Sequence, residues 1–266
     1  MRILVILRRV LDPAGIVAHR RLRRIFVNRE VYLIEPADHC AIEAALRIKD
    51  TTDAEVILAS GRPEPDDDTL RRGLAMGADR AIYLSGSGFE KADDVLVARA
   101  LQAAIDKVGG VDLVITGATT LDTGQGQLGA RLAEALLWPQ ISRTWSVEVV
   151  DERVRAVQEQ GDQYMLVEAE LPAVVLMVPR SLKPRYPDGT RLIHVYRDEG
   201  EMAHALEHWD VSDFLGTADL APTVVPVGRD FPPERVLGER VEGTPHDMAE
   251  VVAGALQERI PGRRLR

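Results

Sequence analysis

Four apolar runs, each followed by a stretch with helical spacing, set the tightest constraint on what this chain can fold into. They are Arg2–Val10, Glu55–Ser60, Arg80–Leu84 and Val111–Thr116. The first is almost unbroken aliphatic, as a strand covered on both faces of a parallel sheet requires. After the first run, Asp38 reads as a helix N-cap, with Ile42, Ala45, Leu46 and Lys49 on one side of the helix. Thr69–Met76 is closed by Gly77, Asp93–Val108 puts Val97, Leu101, Ala104, Ile105 and Val108 on one face, and Leu128, Leu132 and Leu136 keep a helical spacing. Strand and helix alternating in this order predict an α/β fold with a doubly wound, mainly parallel sheet and right-handed crossovers.

The remaining segments interrupt or extend that sheet. Asp12–Ile34 carries charges, a Pro-Ala-Gly turn and a β-like stretch at Glu30–Ile34, and reads as an excursion. From Trp145 the period changes: Trp145–Val150, Arg153–Gln158 and Gln163–Glu168 alternate between turn residues and predict a small antiparallel extension. Ala173–Val178, between Pro172 and Pro179, predicts a buried strand that rejoins the core. Arg180–His208 is polar and reads as turns. Beyond it Pro222, Pro226, Pro232 and Pro233 predict an extended C-terminal arm, ending in a helix over Asp247–Arg259. Val224, Val225, Val227 and Phe231 are apolar enough to favour packing of the arm on a partner over free solvent. The expected division is residues 1–186 as the α/β domain with its extension and residues 187–266 as a docking loop and arm.

Within the alternation, Val111–Leu137 reads as strand, glycine-rich loop and helix. Loops at the carboxyl ends of parallel strands face ligands, and a helix start offers free backbone N–H groups to an anion. Gly124, Gly126 and Gly129 permit close backbone approach. Two readings fit this pattern: a nucleotide-binding turn, or a βα loop whose glycines only relieve strain. No Gly-Lys-Ser/Thr follows, so it is not a P-loop, and the glycine spacing is not the dinucleotide fingerprint.

A formal charge of −9 argues against general nucleic-acid binding, which needs an excess of Lys and Arg. The basic run Arg20–Arg24 reads as a solvated turn or a partner-facing edge. Cys40, the single cysteine, excludes an intrachain disulfide and falls in an apolar helical pattern. Asp66, Asp67 and Asp68 precede a helix and read as its cap, and His39, His194, His204 and His208 lack ligand spacing, so no metal site is expected. Trp138-Pro139 reads as a packing wedge that ends a helix, and Asp122 alone fits a turn residue. The N-terminal run is too short to span a membrane, and a soluble cytoplasmic protein is expected.

Seven segments in order, VILRRV, EPADHCAIEAALRIKD, LAMGADRAIYL, VDLVITG, LDTGQGQLGARLAEALLWPQ, LPAVVLMV and LKPRY, resemble the β subunit of the electron transfer flavoprotein. The resemblance runs from Arg2 to about Tyr186 and continues more weakly through ERVEGTPHDMAEVVAGAL. It implies an adenine-nucleotide-hydrolase-like fold and an electron-carrier subunit with no catalytic residues of its own. Such a subunit pairs with an α subunit bearing most of the FAD site and passes electrons from dehydrogenases toward a quinone reductase or similar acceptor. Its own crevice holds AMP, or in the bifurcating class a second FAD that accepts hydride from NADH. A nucleotide-binding interaction module without electron transfer is the alternative of another class.

By position, the resemblance places the nucleotide site at Ile6, Leu7 and Arg8, at Glu35, Pro36 and Asp38, at Ser60 and Gly61, and along Asp122, Thr123, Gly124, Gln125, Gly126, Gln127, Leu128 and Gly129. Asp122, Gln127 and Gly129 match the family pattern, whereas Thr123, Gly124 and Gln125 depart from it but keep backbone donors. Glu35 stands where the family usually has Asn, and its charge is unfavourable near a phosphate unless it faces elsewhere. Pro13 and Ala37 replace aromatic residues expected near the partner's flavin. Gly189 replaces a Leu that docks acyl-CoA dehydrogenases, with His194 and Tyr196 at nearby basic positions, so standard recognition of that partner is not expected.

Overall fold

The computed structural model describes residues 1–61, 67–87, 89, 92–197, 200, 202, 204–216, 223–224, 227, 231–233, 238 and 240–259. The readings placed on Asp66, Pro222, Val225 and Pro226 lie outside these residues. Contacts divide the chain into two compact units, Met1–Val227 and Gly228–Arg266.

In the first unit the chain runs through β1 (Arg2–Ile6), β2 (Arg9–Leu11), β3 (Ile16–His19), β4 (Arg24–Val27), β5 (Tyr32–Ile34), α1 (Pro36–Thr51), β6 (Glu55–Ser60), α2 (Asp67–Met76), β7 (Arg80–Ser85), α3 (Asp94–Val108) and β8 (Leu113–Gly117). It continues through α4 (Gln127–Leu136), β9 (Gln140–Val150), β10 (Arg153–Gln160), β11 (Gln163–Glu170), β12 (Ala173–Met177), α5 (Gly189–His194) and β13 (Leu206–Asp210). The second unit contains α6 (Pro245–Arg259), which leaves Val251, Val252 and Leu256 exposed.

One nine-stranded sheet takes the order β11-β10-β9-β12-β8-β1-β6-β7-β13. From β9 to β13 neighbours run parallel, and β9, β10 and β11 pair antiparallel. The predicted doubly wound sheet with an antiparallel extension is therefore the fold. Alternation along the central strands divides the core. Ile3, Val5, Val56 and Leu58 pack with α1 and α2, whereas Leu4, Ile6, Ile57 and Ala59 pack with α3 and α4. Fully buried central strands carry apolar side chains toward both layers, which is why their sequences read as unbroken hydrophobic runs. Trp138 packs partly buried against the α3–α4 cluster, as a wedge does.

Three local readings change. Arg180–His208 is not turns alone: it holds α5, capped by the Asp188 carboxylate on the Arg191 N–H at 2.8 Å, and β13, which closes the sheet beside β7. Polar β13, LEHWD, escaped notice because an edge strand needs little apolar burial. β9 begins at Gln140, five residues before the expected strand at Trp145, because its first half pairs with β12. Glu35, not Asp38, occupies the N-cap position of α1, and Asp38 lies in the first helical turn. The excursion resolves into a β2–β5 pair and a β3–β4 hairpin whose turn holds Arg20, Arg21 and Arg23 in solvent. Among the described residues no helix is long and apolar enough to cross a membrane.

Candidate functional site

Strand order makes a crevice. From β1 the chain winds through α1, β6, α2 and β7 on one side, then α3 carries it back to β8 on the other side of β1. At such a reversal the loops leaving neighbouring strands diverge, and ligands of open α/β sheets bind in the gap at the carboxyl ends.

A buried ion pair braces that gap. Arg8, just beyond β1, is 5% exposed and Asp38 is fully buried. The Arg8 guanidinium donates to Asp38 through Nη2 at 2.7 Å and Nε at 2.9 Å, and the Arg8 backbone N–H donates to the same carboxylate at 2.8 Å. Asp38 also accepts the Gly117 N–H at 2.7 Å. Nη2 of Arg8 reaches the Gly117 and Thr119 carbonyls at 3.1 and 3.2 Å. The end of β1, the first turn of α1 and the end of β8 are thus joined through one carboxylate. Gly117 has to be glycine here, because a Cβ would lie 2.5 Å from Asp38 Oδ1 and 2.6 Å from the Ala37 Cβ.

Glu35 holds the next part of the loop. Its side chain, in a residue only 1% exposed, accepts the Leu121 N–H at 2.7 Å. Burial pushes its carboxyl above the usual range, while the Leu121 N–H and the charge of Arg8 pull the other way. The carboxylate therefore faces the loop backbone. Thr120 and Thr123 share a hydroxyl hydrogen bond of 2.7 Å, and Asp122, Thr123, Gly124 and Gln125 project into solvent.

α4 then starts at Gln127 with no side-chain cap on its first turn, which leaves backbone N–H groups without side-chain partners. Gly126 lets the chain pass over Ala118, whose carbonyl oxygen would stand 1.9 Å from a Cβ. Gly129 brings the helix onto the sheet, since its Cβ would lie 2.6 Å from Thr116 Cγ2 and 3.0 Å from Leu176. The Thr116 hydroxyl is buried without a hydrogen-bond partner among the described residues.

A cavity of about 270 Å³ opens here, lined by Ile6, Leu7, Arg8, Gly61, Ala92, Asp94, Val97 and Leu128. Of the residues singled out in sequence, Ile6, Leu7, Arg8, Gly61 and Leu128 line it. Ser60 is buried next to Gly61, and Pro36 opens α1. Glu35 and Asp38 brace the walls, Gly126 and Gly129 set the helix, and the exposed Asp122–Gln125 and Gln127 do not line the cavity. Sequence reasoning missed Ala92, Asp94 and Val97. The signal for them was the Asp93 cap, whose carboxylate accepts the Val95 and Leu96 N–H groups and fixes the start of α3 at the rim.

Fold and crevice together define a doubly wound α/β protein with a cavity at its switch point. The model of the electron transfer flavoprotein domain matches residues 25–211, and the chain belongs to that family. It is similar to the caffeyl-CoA reductase-Etf complex subunit CarD of Acetobacterium woodii, 30% identical over 262 residues that cover 98% of both chains. It is 27% identical to the acryloyl-CoA reductase electron transfer subunit gamma of Anaerotignum propionicum over 97% of this chain and 99% of that one. The electron transfer flavoprotein subunit beta of Megasphaera elsdenii is 33% identical over 70% of this chain and 72% of its own. The resemblance to the β subunit holds, and the role is electron transfer within a flavoprotein system.

Proposed function

We propose that this chain is the nucleotide-holding subunit of a cytoplasmic two-subunit electron carrier, with AMP in the crevice between β1, β8 and α3 and FAD held mainly by a partner α-type subunit. The observation that carries the reading is the uncapped start of α4 beside a small cavity with an apolar wall. An adenine fits such a wall, and phosphate fits backbone N–H groups at a helix start. Arg8 is already neutralised by Asp38, so the phosphate charge falls to those N–H groups and not to a guanidinium.

FAD supplies the redox chemistry, and this chain supplies position. Residues 1–186 hold the nucleotide, and residues 187–266 add a docking loop and an arm for partners. Both relatives matched over nearly their whole length carry names of CoA-ester reductase complexes. A reductase acting on an acyl-CoA therefore suits this carrier's partner better than the acyl-CoA dehydrogenase docking that Gly189 disfavours.

Release of the bound ligand from purified subunit by heat, followed by mass spectrometry, tests the proposal. AMP at one equivalent per chain is expected. FAD released from this chain alone favours the bifurcating reading, and a chain that binds neither nucleotide overturns both.

A further inference from the structure

A second cleft, of about 440 Å³, opens on the α1–α2 layer, beyond the β12 end. Ile34, Leu182 and Pro184 supply apolar wall, and Arg72, Arg180 and Lys183 stand around it. None of these cations has a hydrogen-bond or ion-pair partner among the described residues, although the chain carries a net charge of −9. Their neighbours differ. Arg185 is matched to Glu43 at 3.0 Å and Asp50 at 2.7 Å, and Arg191 donates to the Leu74 and Ala78 carbonyls at 3.0 and 2.6 Å. Arg180 also holds a left-handed backbone, φ 65°, which a side chain adopts at a cost.

We propose that this cleft anchors an acidic, partly apolar segment of the partner subunit, an inference that rests on the two-subunit reading above. Unpaired arginines beside an apolar wall suit carboxylates, which they bind in a planar, bidentate manner. Against a net charge of −9, a basic cleft helps to steer an acidic partner to this face. A small anion is the weaker candidate, because Arg72 on α2 and Arg180 and Lys183 on the loop after β12 are exposed side chains that do not converge from a buried frame. His39 at the cleft adds no charge, since burial and Arg72 keep its imidazole below its usual pKa.

The test uses the full chain with a co-expressed, flavin-bearing partner subunit, and measures their affinity at low and high salt. The triple variant Arg72→Glu, Arg180→Glu, Lys183→Glu is expected to weaken association about tenfold or more at low salt and to flatten its salt dependence. Its melting temperature should match the parent, because no intrachain partner is lost. The charge-conserving variant Arg72→Lys, Arg180→Lys should keep most of the salt dependence. Unchanged affinity in the triple variant overturns the cleft proposal. So does a cleft that binds free inorganic phosphate while partner association is unaffected. A parent chain that captures no partner overturns the two-subunit reading itself, a separately visible failure.

Discussion

Asp38 and Arg8 meet at 2.7 Å, with side chains 0% and 6% exposed, and the same carboxylate also takes the backbone N–H groups of Arg8 and Gly117. Removing two charges from water is costly, and a buried pair persists only where further hydrogen bonds satisfy both partners. Here those further bonds tie β1 to β8 across the switch point. The pair therefore holds the two walls of the crevice together.

Asp38→Ala should show this. It strands a buried guanidinium and the Arg8 and Gly117 N–H groups together, for which the expected loss is about 3–5 kcal/mol in urea unfolding. The double change Arg8→Met, Asp38→Leu removes both charges and should recover a large part of that loss while still widening the crevice. A single variant Asp38→Ala as stable as the parent shows that the pair does not brace the fold.

How much of this was legible follows from what each part depends on. Strand–helix alternation is local, so β1, β6, β7, β8 and α1 to α4 were readable from apolar spacing, and the family resemblance brought Arg8, Gly61 and Leu128 to one crevice. The role of Asp38 was not readable: as a cap it looked local, yet its partners are Arg8, 30 positions away, and Gly117, 79 away. Polar β13 was missed because its pairing with β7 is made by backbone, which the side-chain pattern does not record. Glu35 was recognised as a charge that had to face elsewhere, but only the three-dimensional path of the loop reveals Leu121 as its partner.

Glu35→Gln tests that contact. A folded carboxyl raised above its unfolded value binds the proton more tightly when folded. Its ionisation therefore costs stability as pH rises through the window above the ordinary value of 4.5, and the cost vanishes below it. Glutamine keeps an acceptor for the Leu121 N–H without the charge. Relative to the parent, Glu35→Gln should gain stability at neutral pH but not at pH below 4.5, and should bind AMP at least as tightly. Glu35→Ala, which leaves Leu121 unpaired, should be destabilised by about 1–3 kcal/mol. Parallel pH–stability curves for parent and Glu35→Gln contradict the argument.

Gly129 and Gly124 separate packing from backbone strain. Gly129→Ala drives a methyl to within 2.6 Å of Thr116 and 3.0 Å of Leu176, so α4 must lift from the sheet. The expected cost is about 1–3 kcal/mol, with weaker AMP binding measured by calorimetry as the helix start moves. At Gly124 a Cβ meets nothing within 4 Å, but φ is +68°. Gly124→Ala should cost about 1 kcal/mol of stability with AMP affinity unchanged. Affinity lost in Gly124→Ala but kept in Gly129→Ala shows that the loop tip, not the helix start, meets the ligand.

Asp93 ties the far end of the first unit to the crevice rim. Burial works against its charge, but the Leu96 N–H, the Thr223 hydroxyl and the Thr223 and Val224 N–H groups outweigh it and bring its pKa to about 2. Thr223 and Val224 donate at 2.7 to 2.8 Å. A depressed carboxyl stabilises the fold above its unfolded value, 3.8, and that contribution fades as pH falls through about 2. The amide resonances of Thr223 and Val224 should accordingly titrate together near pH 2, well below ordinary aspartates. In Asp93→Asn the titration should vanish, and the amide resonance of Leu96, which donates to the Asp93 carboxylate at the start of α3, should shift as well. Titration of Thr223 and Val224 at the usual aspartate pH contradicts the clamp, because only shared donation to one carboxylate holds it ionised that far into acid.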